Sequence, residues 1–127
     1  AVVAAVARRT GSRIQIAGEG ALQRLGLSTQ VPAVPTFATD GPSRRLNVLG
    51  IAVEFRHVTA RRLVAAGEVA GTVLEALRAL GPDATDERVL AQLRRTLSDV
   101  DLRRLRRLAP SATESQRRAL ARLLADN

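Results

Sequence analysis

The chain has 127 residues, 46% of them apolar, and its 20 basic side chains outnumber 12 acidic ones to give a net charge of +8. That length suits one domain able to bury roughly two-thirds of the surface of its unfolded chain, and no apolar run approaches the ~20 residues of a membrane span. Cysteine is absent, which excludes disulfides and thiolate metal sites and fits a cytoplasmic protein.

Every basic residue is arginine, a bias that weakens arginine identity as evidence of bidentate recognition. The net charge still points to phosphate backbones or an acidic protein as partner, with binding that weakens as salt rises. Along the chain, residues 1–9 (AVVAAVARR) read as a short helix that Thr10 and Gly11 stop. Residues 12–16, SRIQI, alternate as a strand does. AGEGALQRLG then places Ala21, Leu22 and Leu25 on one side of a short helix closed by Gly26. Pro32 and Pro35 restrict VPAVPTFAT to an edge strand or a distorted one, and Asp40-Gly41-Pro42 supplies a turn. Next, Leu46 and Val48 share a face, as do Ile51, Val53, Phe55 and His57. Arg45, Asn47, Glu54 and Arg56 take the other face, and the segment from Asn47 to Gly50 makes the tight connection. The expectation is a small antiparallel meander of three or four strands with one face on a core and one wet.

After Thr59 the pattern turns helical. Thr59 is positioned to cap ARRLVAAG, and Val69, Val73, Leu77 and Leu80 recur at helical spacing until Gly81-Pro82. Gly71 inside that helix marks a close neighbour. A further helix starts at Thr85 and buries Val89, Leu90, Leu93 and Leu97. Capping boxes are readable at Ser98 with Asp101 and at Ser111 with Glu114. The fold class expected is therefore α+β: a small antiparallel sheet against several helices, forming one domain with a mixed lobe over 1–66 and a helical lobe over 67–127.

Few residues invite catalysis, and no enzyme, cofactor or metal site is expected. His57 is the sole histidine and has no cysteine or second histidine to complete a site. Asp83, Asp86, Glu87, Asp99 and Asp101 stand near helix starts, where the helix dipole favours them. IQIAGEGALQRLG matches a dinucleotide fingerprint at Gly18 and Gly20 but has Gln23 in third place, and a phosphate-binding Walker loop needs a lysine. Basic clusters remain. In LRRLRRL, Leu102, Leu105 and Leu108 form a stripe, and Arg103, Arg104, Arg106 and Arg107 fan around it. Arg94, Arg95, Arg117, Arg118 and Arg122 add charge on flanking helices. Such a face is either a solvated surface of snorkelling arginines or a docking face for phosphates or acidic protein. With two phenylalanines as the whole aromatic complement, base stacking is poorly supported and nucleic-acid contact would be dominated by the backbone.

Taken together, ARRTGSRIQ, LGLSTQVPA, TDGPSRR, the FRHV strand ending and EVAGTVLEALRALG, spanning Ala7 to Leu105, resemble the C-terminal region of AbiEi-type bacterial antitoxins. The resemblance implies a C-terminal domain that neutralises a nucleotidyltransferase-like toxin. It also implies an N-terminal winged helix that binds operator DNA for autorepression, and the residues ahead of the matched region do not read as one, so the expectation is that the sequence corresponds to the C-terminal part. On this reading the hairpin is recognition surface, with Arg44 and Arg45 at its start and Arg56, Arg61 and Arg62 close behind. The competing reading is a DNA-binding regulator module whose basic face runs from Arg94 to Arg118. No membrane partner is expected.

Overall fold

The computed structural model describes residues 12–125, so the helix expected over 1–9 lies outside the described residues. The fold is α+β, with a four-stranded sheet and a helical C-terminal half. Strand β1 (Ile14–Ile16) leads into helix α1 (Gly18–Arg24), then β2 (Thr36–Thr39), β3 (Arg44–Val48) and β4 (Ile51–His57). A 3-10 turn (Ala60–Leu63) precedes α2 (Val69–Ala84), α3 (Glu87–Thr96), α4 (Asp99–Leu108), a second 3-10 turn (Ala109–Ser111) and α5 (Glu114–Leu123). No described helix is long and apolar enough to cross a membrane.

The sheet order is β1-β2-β4-β3. Its outer pairs are antiparallel, as alternation and turns predict, but the central pair β2–β4 is parallel, with Phe37 opposite Phe55. A simple meander is thereby replaced by a mixed sheet. The reason is burial. β3 carries Arg44, Arg45 and Asn47, all exposed, whereas β4 carries Val53 and Phe55, both buried. The strand with apolar side chains to hide takes the centre and β3 is left at the edge. β2 is likewise an inner strand, because it begins only after Pro35. The prolines stay outside the ladder, and the Pro35 carbonyl accepts from the Glu54 N–H at 2.9 Å.

Two residues, Leu49 and Gly50, connect β3 to β4 with φ of 52° and 81°, the positive pair that a primed hairpin turn requires. The helices also reach the sheet on its less apolar face. Gln15, buried, donates to Thr72 Oγ1 on α2 at 3.2 Å and accepts from the Gly67 N–H at 3.2 Å. By register Gln15, Ala38 and Arg56 share that side, so the face expected to be wet is the one α2 approaches. Gly71 permits the approach, since an added Cβ would collide with the Ala65 carbonyl and with Gln15 Oε1.

The main core lies between helices. Ala21 and Leu22 of α1 and Leu25 just after it share a core with Val73 and Leu77 of α2, Leu90 and Leu93 of α3, Leu105 of α4 and Leu120 and Leu123 of α5. Each buried leucine contributes about 1.5–3 kcal/mol relative to exposure. Three helix starts differ from the sequence reading. Thr59 makes no capping bond and heads a 3-10 turn, because the four residues of ARRL are too few to propagate a helix. Asp86, not Thr85, caps α3 by accepting from the Val89 N–H, while the Thr85 hydroxyl donates back to the Gly81 carbonyl. Thr113 with Gln116, not Ser111 with Glu114, forms the box of α5, and the Ser111 hydroxyl is occupied by the Leu108 carbonyl. The box at Ser98 and Asp101 forms as expected. In α2 the helical path breaks at Gly81, at φ 72° and ψ 173°, where the sequence placed the stop.

Candidate interaction surface

Strand pleat separates the two hairpin arginines. Arg44 lies opposite Phe55 and Arg45 opposite Glu54, so adjacent residues project from opposite faces of the edge strand. Among the described residues Arg44 has no hydrogen-bond or ion-pair partner. Arg45 attracts Glu54 through space only, because the Glu54 carboxylate is taken by Arg56 Nε at 2.6 Å. That bond, with the charges of Arg56 and Arg45, holds the Glu54 carboxyl below its ordinary range. At the foot of the hairpin the turn is tied by side chains. Asp40 accepts from the Arg13 N–H at 2.8 Å, which lowers its pKa most, and from Arg13 Nε. The Ser43 hydroxyl accepts from the His57 N–H at 2.8 Å, and His57 Nδ1 donates to the Gly41 carbonyl at 2.9 Å. His57 is exposed, and its ring fastens this turn instead of entering the apolar core.

Behind the hairpin two clefts of about 530 and 420 Å³ adjoin where β4 ends and α2 begins to cover the sheet. Both are lined by His57, Val58, Arg62, Glu75 and Arg78. Glu75 is 3% exposed, and both of its oxygens are engaged by Arg62, at 3.0 and 2.7 Å. This bidentate pair raises the Arg62 pKa. Arg78 stands 3.9 Å from the same carboxylate, beyond hydrogen-bond reach, and burial with the neighbouring Arg62 charge lowers its pKa. Arg61 opens into the larger cleft without a partner among the described residues. Arg56 lines the smaller one with Ala38 and Ala79. Gly18 lines it too, but Gly20 is explained by packing, since a Cβ there would meet Ile16.

The helical arginines divide differently. Arg104, 36 residues from Glu68 along the chain, holds it through two bonds of 2.8 and 3.1 Å, lowering the Glu68 pKa and raising its own. Arg94 donates to the Arg122 carbonyl, Arg95 to Gln92, Arg117 to the Ala112 carbonyl, and Arg118 to Glu114. Arg122 donates to the Thr85 carbonyl and to Glu87. Leu105 and Leu108 are buried, so Arg103, Arg106 and Arg107 project outward from α4. Arg103 and Arg106 have no hydrogen-bond or ion-pair partner among the described residues, and Arg107 touches Glu68 only through its field. Of the basic residues singled out in the sequence, two separate open groups therefore emerge: Arg44, Arg45 and Arg61 around the hairpin, and Arg103, Arg106 and Arg107 on α4. Arg78 carried no sequence signal, because its place in the cleft depends on Glu75, whose pairing with Arg62 is itself long-range.

A family of unknown function, DUF6088, matches residues 1–105, which covers the whole sheet, α1 to α3 and most of α4. The chain belongs to that family. Within this DUF6088 chain the matched span includes the hairpin, Glu75 and Arg78, and it ends at Leu105, before α5. No curated protein and no solved structure matches the chain.

Proposed function

We propose that this chain is a non-enzymatic antitoxin domain that neutralises a nucleotidyltransferase-like toxin by docking an acidic surface of that toxin against the hairpin. The observation that supports this reading most is the state of the hairpin arginines. Arg44 and Arg61 lack acidic partners among the described residues and Arg45 makes no hydrogen bond, whereas Arg62 and Arg104 are each held by a carboxylate in two bonds. Such open guanidiniums attract and orient an acidic partner, and an exposed pair that only decorated the surface would add little to stability. The resemblance of LGLSTQVPA and TDGPSRR to AbiEi-type antitoxins supplies the class of partner. The test is a growth assay in cells expressing the toxin encoded beside this chain. Replacing Arg44 and Arg45 together by alanine abolishes rescue and leaves the melting temperature nearly unchanged. Full rescue by the double variant overturns the proposal.

The outward face of α4 favours a second reading, contact with DNA phosphates that assists operator binding and autorepression. Arg103, Arg106 and Arg107 would neutralise up to three phosphates, so the logarithm of affinity would fall with the logarithm of salt at a slope near −0.9 per phosphate. Equal affinity for operator and random duplexes with that slope supports backbone contact. No binding at physiological salt leaves the protein partner alone.

A further inference from the structure

We propose that the cleft between the end of β4 and helices α2 and α5 is a binding site for a terminal phosphate monoester, with Arg78 and Arg61 as its anchors. This inference is independent of the antitoxin reading. It begins from an imbalance in a space of about 530 Å³, a size typical of small-ligand sites. Three arginines, Arg61, Arg62 and Arg78, line it against one carboxylate, Glu75. Glu75 is spent on Arg62, because the two bonds of 3.0 and 2.7 Å use both of its oxygens and leave that pair neutral. Arg78, with a half-exposed side chain, is left 3.9 Å from the nearest carboxylate oxygen and donates to no acceptor among the described residues. Arg61 is likewise open.

Two uncompensated positive charges remain, which matches a phosphate dianion better than a single carboxylate. The lining also holds Thr59, whose hydroxyl donates to no acceptor among the described residues and can donate to an incoming oxygen. The ring of His57, which also lines the cleft, is held in place by the bond from Nδ1 to the Gly41 carbonyl and is not counted among the donors. Glu75 is a positioning residue in this scheme. By holding Arg62 in two bonds it leaves Arg78 and Arg61 as the open donors. The phosphate could belong to a free nucleotide or to the 5′ end of an oligonucleotide, and the recognition chemistry is the same for both.

The test is isothermal titration of the whole chain at fixed ionic strength with a nucleoside 5′-monophosphate, benzoate, and one oligonucleotide carrying either a 5′-phosphate or a 5′-hydroxyl. The monophosphate or the phosphorylated oligonucleotide binds at least tenfold tighter than benzoate and than the hydroxyl form. Binding of the monophosphate assigns the site to small molecules, and binding of the phosphorylated oligonucleotide alone assigns it to nucleic-acid ends. Arg78→Gln and Arg61→Gln each weaken binding at least tenfold, while Arg24→Gln at the exposed end of α1, outside the lining of the cleft, leaves it unchanged. Should Arg78→Gln fold poorly, the Nε–H resonance of Arg78 in the unmodified chain still reports the site by shifting on addition of the monophosphate. Equal binding of the phosphorylated and hydroxyl oligonucleotides, equal binding of benzoate, an equal loss in Arg24→Gln, or an unmoved Arg78 resonance overturns the assignment.

Discussion

The sheet and the helices of the C-terminal half use the same arginine-rich composition in different ways. In the helical lobe leucines on α3, α4 and α5 supply the cohesion, and Arg94, Arg117 and Arg122 fold back onto backbone carbonyls while Arg103, Arg106 and Arg107 stay open on α4. Within the strands only Ala38, Val53 and Phe55 are buried apolar residues, and specific polar contacts help to join the parts. Gln15 joins β1 to α2, Asp40 joins the turn to Arg13, and Ser43 and Gly41 join it to His57. The arginines of the hairpin are then left open. Where apolar burial is plentiful, part of the charge finishes helices and part stays on the outer face of α4. Where it is scarce, polar groups must build the joints, and the surplus charge faces outward.

That contrast is broken most directly in the helical core. Leu105 is fully buried, and Leu105→Ala should destabilise the chain by about 2–5 kcal/mol. Urea unfolding would show the loss as a lower midpoint with an unchanged slope. A loss under 1 kcal/mol would mean that the leucine core is not what holds this lobe together.

The polar joint is the next place to press. Gln15→Leu preserves volume but strands the Gly67 N–H and the Thr72 hydroxyl without their partner. It should lower stability by about 1–3 kcal/mol. Amide hydrogen exchange would reveal faster opening of β1 and of the start of α2, with α4 and α5 protected as before. Uniform acceleration across both lobes would show that the lobes have no separate stabilities to compare.

The smallest effect is expected at the hairpin tip. Leu49 is 86% exposed and adopts a left-handed conformation that asparagine tolerates far better. Leu49→Asn should raise stability by about 0.5–1 kcal/mol, read as a modest rise in melting temperature. Reduced toxin neutralisation in this more stable variant would extend the recognition surface from Arg44 and Arg45 to the tip, and unchanged neutralisation would confine it to the arginines.

Much of this architecture follows from local pattern. Leu102, Leu105 and Leu108 announce the inner stripe of α4. Gly81-Pro82 marks the break in α2, Ser98 with Asp101 caps a helix, and Asn47 to Gly50 closes a hairpin. Each of these depends on residues a few positions apart, so alternation, helical spacing and turn chemistry suffice to read them. The close approach at Gly71 was legible as well, although the groups it meets, Ala65 and Gln15, were not.

The order of strands and the fate of each arginine were settled only by the tertiary structure. Nothing local says that β4 will insert beside β2 in parallel; that outcome follows from which strand has Val53 and Phe55 to bury once all four compete for the centre. Nor does local sequence distinguish Arg62 from Arg61, or Arg104 from Arg103. The difference is made by Glu75 and Glu68, brought in from 13 and 36 residues away. A side chain's period places it on a face, but its charge is satisfied or left open by whatever the fold carries to that face, and that is a property of the packed chain.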